Sequence, residues 1–508
     1  MNPIATPHFV DLTDASLIVL FMSPFTSVWF RLARWLMPLL LGVSGCAGRN
    51  FDPPQVPDAP LFSSSGNTEA PERWWMAFDD PELDYQINQA FEGNYTLAAA
   101  VQRVRAARAL TRREASDLLP DLNGVVDVGL DEVRTTYQLG VDAAYQIDLW
   151  GEIESRVDAE RLRANATSYD YKVIALTLSA EIARHWFSLM EAHAQVELLD
   201  EQIKTNRTGL EIQESRFGLG LIRSADVLRQ RQLLESTLEQ AVVSEARIEV
   251  MEHQLAILLG NMPQTVIYET GAELPELPPI PDTGLPSELL HRRPDVRRDY
   301  LTFQASDRDL ASAISAQYPR ISLTGSVLSV AESPETIFRH WFVSISSQLI
   351  APLFDGGQRR AEVDRTSAVV RQLFNEYAQT MLTAFREVED SLAQEKFQFL
   401  RIKHLKEQVQ LAGQASEQLR EQYLIGDVEY LDVLSAITAQ QRLQRQLLSA
   451  QLELVLIRVA LYLALAGDFQ SAPQPLQELG DSKDVQEEAY GLDPPEVKTE
   501  EAVSQEES

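Results

Sequence analysis

Cysteine is almost missing from this chain: Cys46 is the single one in 508 residues, so no disulfide can form within a protomer. Positive charge is also scarce. Lys and Arg number 44 against 75 Asp and Glu, a net charge of −31. A chain this acidic offers no basic face to release counterions, which argues against nucleic acid or an anionic lipid surface as partner. Beyond Cys46 no uninterrupted apolar run reaches the 18 residues of a spanning helix. The seven histidines are scattered, without a His-Glu-x-x-His pair or the Cys partners of a zinc site. Gly218-Leu219-Gly220 lacks the third glycine and the preceding strand of a dinucleotide loop, and Gly-x-Ser-x-Gly does not occur. Neither catalysis nor a cofactor is expected.

What is present is Leu, Ala, Glu, Gln and Arg in the proportions of long helices or coiled coil. The ends read differently. Arg31 and Arg34, the apolar run from Trp35 to Leu41, and the small residues Val43, Ser44 and Gly45 before Cys46 resemble a bacterial lipoprotein signal. On that reading residues 1–45 are removed and Cys46 is lipidated; an ordinary signal peptide followed by a buried cysteine is the plain alternative. The stretch before Met22 suits a signal poorly, which makes Met22 a candidate start. Ala47 in place of Asp implies, by the lipoprotein resemblance, export to the outer membrane. Residues 46–71 read as anchor and extended tether, being rich in Pro, Ser and Asp. The tail, 468–508, holds twelve acids against Lys483 and Lys498 and reads as disordered.

The body is a duplication. Arg216 to Leu228 aligns with Gln422 to Leu434, 206 residues on; Pro120 aligns with Pro319, and Trp150-Gly151 with Asp355-Gly356. This gives halves at 72–265 and 266–467. Each half has the same order of elements. A helix comes first, near 83–117 or 286–317, and a proline closes it. Two strands follow, near 122–131 and 136–148, then near 321–331 and 341–352. Val126, Val128 and Leu130, with Leu139, Val141, Ala143, Tyr145 and Ile147, alternate well. In the second pair Ile321, Leu323, Phe342, Ser344 and Ser346 alternate less clearly. After Gly151 and Gly357 comes a helix of about 65 residues, roughly 100 Å long. It carries a heptad stripe of Leu189, Val196, Ile203, Leu210 and Phe217, with Ala192 and Leu199 between, expected in the core. A glycine turn and a return helix end each half. Strands of this length suit a tilted membrane span, but four cannot close a barrel, so several chains must share one.

The residues are those of a family. Trp74-Trp75-Met76-Ala77-Phe78-Asp79-Asp80-Pro81-Glu82-Leu83, Ile147-Asp148-Leu149-Trp150-Gly151, Leu285 to Val296 with Arg292-Arg293-Pro294-Asp295, and Leu353-Phe354-Asp355-Gly356-Gly357-Gln358-Arg359 resemble the TolC-like outer-membrane factors. They match the NodT-type lipoprotein branch that serves resistance–nodulation–division efflux pumps, over about 70–467. The resemblance implies a membrane β-barrel on a long α-helical barrel (α+β), in which a homotrimer forms a twelve-stranded barrel and a periplasmic coiled-coil tunnel closed at its tip. It implies an exit duct for small toxic molecules, working with a periplasmic adaptor protein and an inner-membrane pump and held in outer-membrane lipid. A duct for type I protein secretion and a periplasmic coiled coil without a pore are the competing readings. The loop at 132–135 is short for the family.

The resemblance also assigns sites. Asp432 matches an acid that rings the periplasmic constriction; the plain alternative is a cap on the return helix. A second acid of that ring is Ser435 here. Asp226 matches in the first half, but the arginine it can pair with in the family is Val428, so with Glu429 and Tyr423 nearby the latch must differ. Gly218, Gly220 and Gly426 are expected to permit the tip turns, where the adaptor docks. Pro120, Gly151, Pro319, Gly356 and Gly357 mark helix–strand junctions. Arg292 and Arg293 are expected to pair with acids at a helix start.

Overall fold

The computed structural model describes residues 60–67, 73–130, 134–263, 268 and 270–465. Cys46 and the acidic tail lie outside them. The first half contains α1 (Pro81–Gly93), α2 (Tyr95–Ser116), β1 (Asp121–Leu130), β2 (Thr135–Ile147), α3 (Glu152–Gly218) and α4 (Ser224–Leu258). The second repeats the order with α5 (Pro286–Arg292), α6 (Pro294–Ser315), β3 (Arg320–Ala331), β4 (Trp341–Ile350), α7 (Gln358–Ile425) and α8 (Tyr430–Leu465).

The leading helix of each half is broken in two, where one helix was expected. Asn94 interrupts the first: its side chain accepts the Leu97 N–H at 2.9 Å and donates to Leu258 O at 2.8 Å. The break lets the end of α4 come close, since a Cβ on Gly260 would lie 2.2 Å from Gly93 O. In the second half Pro294 pushes Arg293 out of the helical region, to ψ 123°.

Each long helix packs against short helices above and a return helix below. Neighbours run α2, α3, α6, α7 in the upper layer and α4, α3, α8, α7 in the lower. The sheet runs β1-β2-β3-β4, all antiparallel. Among the described residues all three layers are therefore open at both ends.

Register fixes the faces of the sheet. Val126 pairs with Leu139, Val141 with Val327, and Val327 with Val343. One face thus carries Leu122, Val126, Val128, Val141, Val343, Ile345 and Leu349, with Tyr137 and Trp341 toward the loops and Tyr145 toward the helices. Ile345 is 85% exposed and Val126 75% exposed in the protomer, as a lipid-facing surface would be. The opposite face carries Asp127, Gln138, Asp142, Ser322 and Gln348. Thr324 bonds Ser346 there at 2.6 Å, and Ser326 bonds Ser344 at 2.8 Å. This corrects the weak alternation read in the second pair: Phe342, Ser344 and Ser346 lie on the polar face, and the apolar set is Trp341, Val343, Ile345 and Leu349, one residue out of step.

The motif at 74–83 is a plug at the centre of the core. Trp74 and Trp75 are buried, and the Trp74 ring stacks on Tyr462 at 6.0 Å. One Asp80 oxygen accepts the N–H groups of Glu82 and Leu83, capping α1, while the other accepts Trp186 Nε1 at 2.8 Å. Leu189, Ala192, Leu199 and Ile203 are buried as expected, but Phe217, 49% exposed, is not. Part of the expected tether is docked: Phe62 packs on Phe385 at 6.3 Å, Ser63 N–H donates to Glu389 at 2.8 Å, and Gly66 N–H donates to Pro281 O at 3.0 Å. Helix α8 is long and apolar enough to cross a membrane by composition. Its side chains are spent in the core instead, where Arg458, 1% exposed, forks onto Glu395 and reaches the Pro278 and Pro279 carbonyls.

Candidate functional site

Chemistry gathers at two levels, the helix–strand junctions and the far tip. At the first junction Asp148 accepts the N–H groups of Glu152 and Glu154, both at 2.7 Å, and starts α3. At the second, Asp355 accepts Gly357 N–H at 2.9 Å and Arg359 Nη1 at 3.1 Å. Those backbone bonds, with the Arg359 guanidinium, hold the Asp355 carboxyl below the usual aspartate range. Gly151, Gly356 and Gly357 have φ of 70°, 65° and 90°, where a side chain would be strained. Pro120 and Pro319 stand immediately before β1 and β3. Trp150 Nε1 donates to Pro319 O at 2.7 Å and its ring stacks on Tyr318 at 5.0 Å, so the β2–α3 junction leans on the α6–β3 junction of the second half.

Arg293 behaves as its motif implies. Its guanidinium grips both Asp295 oxygens, at 3.0 and 2.6 Å, and reaches Glu387 at 2.7 Å and Ala464 O at 3.3 Å. Burial opposes an ionised Asp295, but Arg293 holds its carboxyl below the ordinary value.

At the tip, two of the three glycines need their freedom. Gly220 has φ 73° and Gly426 φ 84°, while Gly218 closes α3 without a positive φ, so the turn does not require it. Asp432 lies in the first turn of α8, two residues inside its start, and is exposed. Its carboxylate makes no hydrogen bond or ion pair among the described residues, so it does not cap the helix. Ser435 is turned back onto Leu431 O at 2.8 Å. Asp226 lies in the first turn of α4 and pairs with Arg229 of the same helix at 3.4 Å, not across the tip.

What crosses the tip is two tyrosine–glutamine pairs. Tyr423 Oη donates to Gln213 Oε1 at 3.0 Å, and Tyr430 Oη donates to Gln230 Oε1 at 2.5 Å. The rings pack at 5.2 Å, and Arg216 lies over the Tyr423 ring at 4.5 Å. Gln230 is 2% exposed, donates to Asn206 O at 2.7 Å and lies over Gly209, where a Cβ would come within 2.9 Å of its amide nitrogen. Burial pushes the Tyr430 phenol above its ordinary value, with Tyr423 and the Asp226 carboxylate adding to it. A cleft of about 410 Å³ opens beside these pairs, lined by Lys204, Ile212, Arg420 and Leu424 among others. Sequence reasoning missed Gln213, Gln230 and Tyr430; the available signal was glutamine at core spacing on helices whose other core positions are apolar. Among the described residues no cluster of His, Cys, Asp or Glu could hold a metal.

The comparisons agree with this geometry. A protein-family description, outer membrane efflux protein, matches residues 86–261 and 285–467. The pyoverdine export outer membrane protein OpmQ of Pseudomonas aeruginosa is 28% identical over 471 residues, covering 86% of this chain and 97% of that protein. The solvent efflux pump outer membrane protein SrpC of Pseudomonas putida is 28% identical over 407 residues, covering 77% of this chain and 86% of that one. Among solved structures, the outer-membrane channel OprN superposes with a TM-score of 0.76 at 26% identity, over 82% of this chain and 98% of that one. With the family match covering well over half the chain and both halves of the duplication, the chain belongs to the outer membrane efflux protein family.

Proposed function

We propose that three copies of this chain close into one lipid-anchored exit duct that carries small toxic molecules out of the periplasm. The observation that carries this is the trio of open layers: sheet, upper helices and lower helices all end on unpartnered elements, β1 and β4, α2 and α7, α4 and α7. An open sheet edge in lipid leaves backbone groups unpaired, so β4 of one copy pairs with β1 of the next. Three copies of four strands give twelve. The chain is an outer-membrane protein with a large helical portion on the periplasmic side.

Cys46 carries the lipid. Asp432 from three copies rings the axis at the tip, where close carboxylates attract cations, and Asp226 stands near it on the neighbouring hairpin. The Tyr423–Gln213 and Tyr430–Gln230 pairs hold the tip shut. The turns at Gly220 and Gly426, with the cleft beside them, receive a periplasmic adaptor protein that joins the duct to an inner-membrane pump. Small cargo is supported by the relatives, whose names specify pyoverdine export, solvent efflux and cation efflux.

The test is export in cells that lack this chain. Dyes, solvents or metal ions should accumulate, and restoring the chain beside its own adaptor and pump should lower their level. Unchanged accumulation across all three classes, with loss of a secreted protein instead, would replace this reading with protein secretion.

A further inference from the structure

The chain has seven lysines, and three of them, Lys396, Lys403 and Lys406, fall within eleven residues of α7. Their place on the helix says which way they face. Glu395, Gln398, Ile402 and Leu405 are buried and turn toward α8, where Glu395 pairs with Arg458 and Gln398 Nε2 donates to Ala450 O at 2.8 Å. Phe385 and Glu389 lie on another face, the one that carries Phe62 and Ser63 of the N-terminal strap. Lys396 and Lys403 follow Glu389 at intervals of seven residues, two helical turns each, so they continue the strap-bearing face below the strap. Phe399 and Leu400, both 48% exposed, fill the turns between them, and Lys406 stands one turn further on.

The three lysines are exposed, and none makes a hydrogen bond or an ion pair among the described residues; Lys396 lies 5.7 Å over the Phe397 ring. The arginines of the same helix differ. Arg359, Arg365, Arg386, Arg401 and Arg420 each hold a carboxylate. A basic patch without acidic partners, with an aromatic and an aliphatic side chain set between the charges, matches an acidic peptide that also has apolar side chains to bury. Lipid headgroups are out of reach, because Lys396 stands 38 residues along α7 from its start beside the sheet, or about 57 Å.

The chain itself carries a segment of the matching chemistry. Residues 478–492 hold five acids, from Glu478 to Glu488, among Leu479, Val485, Tyr490 and Leu492, against the single base Lys483. They lie outside the described residues, but the point from which the chain runs toward them is fixed. Leu465, the end of α8, packs with Met381 and Val388 of α7. From Val388 to Lys403 α7 advances 15 residues, about 22 Å. The 12 residues between Leu465 and Glu478 reach up to about 43 Å, so the acids arrive at the lysines with slack to spare.

We infer that residues 478–492 of the tail lie back along α7 and seat on the Lys396–Lys403–Lys406 patch, acids on the lysines and apolar side chains on Phe399 and Leu400. The test is labelling of the purified full-length protein with a lysine-selective acylating reagent at low salt, read peptide by peptide by mass spectrometry. Lys172 and Lys204 of α3 serve as internal references. Deleting 468–508 should raise labelling of the three patch lysines several-fold relative to the references. If the truncated chain does not assemble, Glu478→Gln, Asp481→Asn, Asp484→Asn, Glu487→Gln and Glu488→Gln together, in a tail of unchanged length, should have the same effect. In the unaltered chain a zero-length carbodiimide should join carboxylates of 478–492 to Lys396, Lys403 or Lys406. Patch lysines equally reactive with and without the tail acids overturn the inference, because nothing then covers them. Patch lysines equally protected in both also overturn it, because a second copy or another protein is then the occupant. Carbodiimide links from the tail to Lys172 or Lys204 in place of the patch overturn it as well.

Discussion

Tyr430 and Gln230 meet side chain to side chain at 2.5 Å although 200 residues separate them in the chain. The bond ties the start of one return helix to the other hairpin, and with Tyr423–Gln213 it joins the two hairpins through neutral side chains, which in the proposed duct are the closure of the tip. Tyr430→Phe should cost about 0.5–1.5 kcal/mol of closure, plus whatever Gln230 loses by staying buried without its donor. Single-channel recordings should show more frequent wide openings. The pH dependence follows from the raised phenol pKa. The neutral donor is favoured in the closed tip, so closure is fully present below the ordinary tyrosine value of 10.0 and weakens only as pH rises beyond it toward the higher folded value. Closure that weakens between pH 5 and 8 would assign the lock to carboxylates or histidine instead.

Asp432 gives a different signature. Because it sits inside the first turn and bonds no backbone N–H, removing it should not cost the roughly 0.5–2 kcal/mol of a lost cap. Asp432→Ala should instead weaken block by a trivalent cation added from the tip side. Unchanged block with lowered thermal stability would return Asp432 to a structural role.

The N-terminal strap sets a length. Phe62 is held on Phe385, 27 residues along α7 from its start, or about 40 Å. Fifteen residues lie between Cys46 and Phe62, a reach of at most about 55 Å. The tether has little slack if the lipid lies at the foot of the barrel. Cys46→Ser should abolish palmitate labelling. Deleting six residues between 47 and 59 should strip the strap from α7, read as new protease cleavage near Phe62, whereas inserting six should be silent. A silent deletion would contradict the anchored position of Cys46.

Arg458 and Glu395 are both almost wholly buried, and Arg458 also binds the linker between the halves. Arg458→Met strands a buried carboxylate and should cost about 3–5 kcal/mol, seen as a lower unfolding midpoint. Adding Glu395→Leu should recover most of it.

Much of this architecture was written in periodicity. The duplicated glycines and prolines placed the junctions and strand boundaries to within a few residues, because Gly at positive φ and Pro before a strand act locally. Three features were not readable that way. The strand at 341–350 has serines on one face and Trp341, Val343 and Ile345 on the other, and parity became visible only through pairing with β3. The break at Asn94 depends on a bond to Leu258, 164 residues away. The tip pairs join Tyr423 and Tyr430 to glutamines of the other half; core spacing marks Gln213 and Gln230 as inward-facing, but not which residue 200 or more positions away each one meets.

The central claim is that one chain is a third of a barrel. Native mass measurement of the complex extracted in detergent tests it most directly. Three polypeptides per particle is the expected result, with β4 of each copy closed on β1 of the next. A single polypeptide with its four strands still folded would contradict the account.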